Sequence, residues 1–130
     1  MRRTIAAALA AASLAAAGNG IAGDDMAQAM EFFESGHYLH ARDYLRAAAR
    51  NGDARAAEIL GFMFGFGPDM FPGIGRDLAA AEHWFDRAAR GGRPVGRYMV
   101  CALRKHAGAA AQAAHRCFDW VAETGVPGPR

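Results

Sequence analysis

Ala41-Arg42-Asp43-Tyr44-Leu45-Arg46-Ala47-Ala48-Ala49-Arg50-Asn51-Gly52 and, forty residues on, Ala81-Glu82-His83-Trp84-Phe85-Asp86-Arg87-Ala88-Ala89-Arg90-Gly91-Gly92 repeat a single pattern. An alanine is followed by an aromatic–apolar pair, an alanine pair and a glycine, with every spacing kept. Positions i, i+3, i+4, i+7 and i+8 share one stripe of an α-helix, so each stretch reads as a helix with one core-facing side. Small residues on the stripe let a neighbouring helix approach, and the bulky pair fills the space between helices. A glycine just past the last turn supplies the left-handed cap. Asn51-Gly52 and Gly91-Gly92 are such stops.

Working outward, a weaker third copy follows thirty-three residues later as Ala114, Cys117-Phe118, Val121-Ala122 and Gly125. After the first two terminal glycines the chain resumes alike, with Ala56, Leu60 and Gly61 matched by Gly96, Val100 and Cys101. The repeating unit therefore spans two helices. The spacing predicts helices at about 25–35, 38–50, 53–65, 77–90, 95–106 and 110–124, an all-α chain of three antiparallel hairpins stacked as a short solenoid. Asp24, Asp25, Asp53 and Asp77 fall at or near the expected helix starts, where a carboxylate accepts the free N–H groups.

These residues resemble a known family. Ala-x-x-Trp-Phe-x-x-Ala-Ala-x-x-Gly at Ala81 to Gly92, with Leu60-Gly61 in the first repeat and Asp77 four residues before Ala81, looks like the Sel-one-like repeat, a subclass of the tetratricopeptide-like repeats. Phe33-x-x-Gly36-x-Tyr38-x-x-Ala41 is similar to the ordinary tetratricopeptide pattern. The likeness runs from about residue 26 to 125, and its third copy is degenerate. It implies a right-handed helical solenoid that binds a protein partner, in a family with many exported bacterial members. The packing positions it carries over are Ala41, Tyr44, Leu45, Ala48, Gly52, Leu60, Gly61, Ala81, Trp84, Phe85, Ala88, Ala89, Gly92 and Phe118.

Composition agrees with helices. Of 130 residues 52% are apolar, a share inflated by alanine, the best helix former. At the amino terminus, Met1-Arg2-Arg3 followed by the uncharged run Ile5 to Ala17 has the pattern of a secretory signal peptide. Cleavage is expected after Ala22, leaving a repeat domain at 23–125 and a short tail at 126–130, disordered by Pro127 and Pro129. The thirteen-residue run is too short for a membrane span, which takes about 20 residues. The product is expected to be periplasmic or secreted. Without Arg2 and Arg3, thirteen basic residues face thirteen acidic ones, and no basic face of the kind that binds nucleic acid is evident.

The residues that carry chemistry are few. Between Gly67 and Asp77 the chain is longer than the family pattern and apolar; an exposed Met70-Phe71-Ile74 patch beside Phe62 and Phe66 suits a protein contact. In the other reading Phe71 and Ile74 fold back and cap the hairpin. Phe62, Phe66, Met70 and Phe71 are the candidate partner-binding residues. Cys101 and Cys117 lie level across the last expected hairpin if it turns near 107–109, so a disulfide is expected in an oxidising compartment. His37 and His40 are one turn apart, but the five histidines and two cysteines have no zinc-ligand spacing. Ser35 before Gly36 and the pair Glu31/Glu34 suggest no catalytic set.

No metal or cofactor is expected, and the partner is an unidentified protein bound by a monomer or a subunit of a hetero-complex. Two alternatives remain. One is the β-lactam binding or hydrolysis associated with cysteine-rich exported members of the family; the other is an obligate structural subunit of an envelope complex.

Overall fold

Alanine stripes bounded by aspartate caps and glycine stops determine where the helices lie. In the computed structural model, residues 20–108 are described, with side chains from Gly23 onward. Five helices succeed one another: α1 (Gly20–Glu34), α2 (Tyr38–Arg50), α3 (Ala54–Phe66), α4 (Leu78–Arg90) and α5 (Pro94–His106). A 3-10 turn, Gly67–Asp69, opens the long α3–α4 connection, and there is no strand among the described residues. The expected signal segment up to residue 19, the sixth helix with Cys117 and Phe118, and the tail at 126–130 lie outside the described residues.

The predicted starts hold at two helices and shift at one. Asp53 and Asp77 each accept the N–H three residues on, from Ala56 and Ala80, at 2.9 Å. Helix α1, expected from residue 25, begins at Gly20. Asp24 and Asp25 therefore lie inside α1, and the helix runs across the expected cleavage point after Ala22.

Helices α1, α2 and α4 end by one rule. Gly36, Gly52 and Gly92 have φ of +77°, +96° and +87°. In each case the glycine N–H bonds a carbonyl three back, and the next residue's N–H bonds one five back: Gly52 to Ala49 and Asp53 to Ala48, Gly92 to Ala89 and Arg93 to Ala88. This double bond is the Schellman stop, and it turns the chain back within three residues.

Each helix packs on its chain neighbours: α1 on α2, α2 on α3, α3 on α4 and α4 on α5, with a lighter contact between α3 and α5. This is a short stack of antiparallel hairpins. The repeat positions line its core: Ala41, Leu45 and Ala48 of α2 and Ala81, Phe85 and Ala88 of α4 are all fully buried. Tyr44 and Trp84 occupy matching half-buried slots at the stripe's edge. Tyr44 stacks on Phe32 of α1 with ring centroids 5.5 Å apart, and the Arg87 guanidinium lies 5.7 Å from the Trp84 ring. The residue after each aromatic is thus the true core plug.

Around Phe85 two helix approaches leave no room for a further side chain. A methyl group on Gly61 would lie 2.6 Å from the Phe85 ring, and one on Gly96 the same distance from the Phe85 carbonyl oxygen. Small residues at these two points let α3 and α5 close on α4 from either side.

Candidate functional site

Helix α3 has neighbours on most of its circumference, and its sequence is apolar almost all round. Beyond its first residue, the side chains left outside the core are Arg55, Ile59, Phe62 and Phe66. They recur at i, i+4, i+7 and i+11, a single line along the helix. Phe62 meets the buried Phe85 edge-on at 5.0 Å, and Phe66 stacks on Phe62 at 6.1 Å with rings 12° from parallel. Phe66 is 42% exposed at the outer end. Phe62 and Phe66 are therefore braced in series from the core. Forty residues on, the matching line of α5 carries Val95, Met99, Ala102 and His106, with Val95 exposed and Met99 and Ala102 half-buried.

The long connection divides the residues that sequence grouped together. Met70 is 55% exposed, whereas Phe71 and Ile74 are buried. Phe71 folds back between Phe33 and Tyr38 of the first hairpin, at centroid distances of 5.8 and 5.3 Å, and is not part of an exposed patch. The physical reason is that the Phe33 and Tyr38 rings on either side of the first hairpin's turn offer Phe71 an apolar seat that water does not. Arg76 closes the loop's base by donating to the Phe66 carbonyl at 3.1 Å and to Asp69 at 2.8 Å. Gly67 (φ +64°) runs so close to Arg76 that a methyl would lie 2.7 Å from its Cβ. Of the four candidate partner-binding residues, Phe66 and Met70 are presented to solvent, Phe62 is half-buried beneath Phe66, and Phe71 is in the core.

Sequence reasoning passed over Glu58, the one charged residue placed in the core among those described. Arg93, at the start of α5, grips it with Nε and Nη2 at 2.9 and 2.7 Å. That hydrogen bond and the charge beside it hold the Arg93 guanidinium protonated beyond its ordinary range. A lone acid in an otherwise apolar helix was the available signal. The Glu58–Arg93 pair joins α3 to the start of α5, and a second ion pair, Glu82 with Arg104 at 2.7 Å, joins α4 to α5.

Other polar clusters are engaged in holding the fold. A solvent-open cleft of about 540 Å³ is walled by Asp53, Ala57, His83, Asp86, Arg87 and Arg90. Asp53 caps α3, Arg87 donates to the Ala49 carbonyl at 3.1 Å, and Arg90 pairs with Asp86 at 2.8 Å. Ser35 Oγ donates to the Glu31 and Phe32 carbonyls at 2.9 and 3.1 Å, and lies 2.9 Å from His37 Nδ1. The His37 and His40 ring centroids are 6.4 Å apart, and no group of three or more His, Cys, Asp or Glu among the described residues is placed to hold a metal. No described helix is long and apolar enough to cross a membrane. Cys101 is buried, and Cys117 lies outside the described residues.

No family model, curated protein or solved structure matches the chain.

Proposed function

We propose that this is an exported, non-enzymatic helical-repeat protein of the Sel-one-like, tetratricopeptide-like kind, which binds an apolar segment of another protein along α3 and the tip of the α3–α4 connection. The observation that carries this reading is the open line of α3. Phe62 is braced edge-on against the buried Phe85, Phe66 stacks on Phe62, and Phe66 is left 42% exposed at the outer end of the line. Rigid aromatics anchored from beneath lose little freedom on binding, which is where interface energy concentrates. Met70, exposed four residues after Phe66, adds a flexible, polarisable side chain of the kind found at adaptable contact surfaces.

Export rests on the amino-terminal pattern of Arg2-Arg3 and the apolar run after it. Terminal sequencing of protein from the exported fraction is expected to give Gly23 as the first residue. For binding, immobilised protein is expected to retain a specific polypeptide from that fraction. A variant with Phe66→Ser and Met70→Ser should lose it, while Glu31→Gln/Glu34→Gln on α1 should not. Equal retention by both variants removes the α3 line from the reading.

A further inference from the structure

Arg87 stands apart from the other charged residues of the cleft shared by α2, α3 and α4. Asp53 accepts the Ala56 N–H, and Asp86 pairs with Arg90 at 2.8 Å, so each of these has a partner within the fold. Arg87 is half-buried, yet among the described residues no carboxylate pairs with it. Its contacts are the Ala49 carbonyl, which takes one Nη2 N–H at 3.1 Å, and the Trp84 ring, 5.7 Å from Cζ. A guanidinium carries several N–H donors in a planar fork, and a single carbonyl answers only one of them. The rest are left to the cleft that Arg87 lines, and a partly desolvated cation without a counter-ion favours an anion beside it.

Helix packing does not require an arginine there. The first copy of the repeat has Ala47 at the same position, while the neighbouring Ala48 and Arg50 match Ala88 and Arg90. The Ala49 carbonyl holds the fork across from α4 to α2 and the Trp84 ring backs it, so little freedom is lost when a ligand meets it. His83 and Arg90, four residues before and three after, share its face of α4. His83 is exposed and the Arg90 side chain is 80% exposed. Elsewhere the cleft is lined by small residues, Ala49, Gly52 and Ala57 among them. At about 540 Å³ and open to solvent, it has room for an extended chain and does not enclose a small molecule. Ala57 is two residues from both Arg55 and Ile59, so the cleft lies on the opposite side of α3 from the open apolar line.

We infer that this cleft is a second binding site, which takes an acidic side chain of an extended polypeptide. Arg87 presents its fork to the ligand carboxylate, a planar match of two donors to two oxygens. Arg90 joins it by exchanging Asp86 for the ligand, which makes Asp86 a competitor built into the site. The site shares no residue with the open line of α3 and stands or falls separately from it.

The test titrates the full chain, in low-salt buffer, into a fluorescein-labelled peptide of alternating glutamate and glycine and reads fluorescence anisotropy. Saturable binding that fades as salt is added is expected, with none to the peptide carrying glutamine in place of glutamate. Arg87→Gln should weaken binding roughly tenfold or more, the scale of a hydrogen bond to a charged group. Arg87→Lys keeps the charge without the fork and should also weaken it, by less. Asp86→Asn should tighten binding, whereas Lys105→Gln, which removes an equal charge at the end of α5, should leave it unchanged. Free glutarate should displace the peptide only at far higher concentration. Should Arg87→Gln fail to fold by circular dichroism, Arg87→Lys and Asp86→Asn decide. No binding, equal binding of the glutamine peptide, unchanged affinity in the Arg87 variants or weaker binding by Asp86→Asn would overturn the inference. Glutarate binding as tight as the peptide would overturn it too, by making a free dicarboxylate the ligand.

Discussion

At the scale of single residues, the stability of the stack depends on where a side chain is missing. Gly61 faces the fully buried Phe85 ring, so Gly61→Ala is expected to cost about 1–3 kcal/mol by overpacking. Gly96→Ala should cost more, since a methyl there meets the Phe85 oxygen and the Ala89 nitrogen at 2.6 and 2.8 Å, and backbone cannot rotate away. Gly75→Ala, with open space around it, is the control and should be near neutral. Urea midpoints at constant m-value give the comparison; equal midpoints for all three would mean that the close approaches do not exist.

Glu58 and Arg93 belong to the same scale. Removing either leaves the other without its partner, so Glu58→Gln and Arg93→Gln should each lower the melting temperature. The double variant should lose less than the sum, because one interaction is being removed twice. A guanidinium pKa raised by its partner contributes stability at all pH below its ordinary value and loses it only in stronger alkali. Arg93's contribution should accordingly be flat across neutral pH, which melting curves from pH 6 to about 9 would register.

At the scale of elements, the α3–α4 connection acts as a strap across the first hairpin. Phe71→Ala removes a buried ring from between Phe33 and Tyr38 and is expected to cost about 3 kcal/mol, whereas Met70→Ala should stay within about 0.5 kcal/mol. A small effect of Phe71→Ala in calorimetry would show the strap to be loose. The caps are a gentler lever: Asp53→Ala and Asp77→Ala should each cost about 1 kcal/mol, because one N–H at the start of α3 or α4 loses its acceptor.

At the scale of the molecule, hairpins stacked in chain order make most contacts between near neighbours in sequence, so rapid cooperative folding is expected. On the proposed reading the purified protein is a stable monomer with an open apolar line small enough to tolerate in water. Sedimentation at increasing concentration checks this. Aggregation would favour the obligate-subunit alternative, in which the same line is permanently covered by a companion chain.

The alanine, aromatic and glycine spacing by itself determined that the chain is helical, where α2 to α5 begin and end to within a residue or so, and which positions of α2 and α4 face the core. Periodicity and capping act over one or two turns, and such information is local. The open face of α3 was not legible, because Ala54-Arg55-Ala56-Ala57-Glu58-Ile59-Leu60-Gly61-Phe62-Met63-Phe64-Gly65-Phe66 is apolar on nearly every side and gives periodicity nothing to distinguish. Only neighbours packed on both flanks decided that Ile59, Phe62 and Phe66 stay outside. The sequence did offer a reading in which Phe71 and Ile74 fold back, and both are buried, but it did not give their destination, nor did it single out Glu58: the partners Phe33, Tyr38 and Arg93 lie more than thirty residues away along the chain, a separation that only the folded stack brings to contact distance.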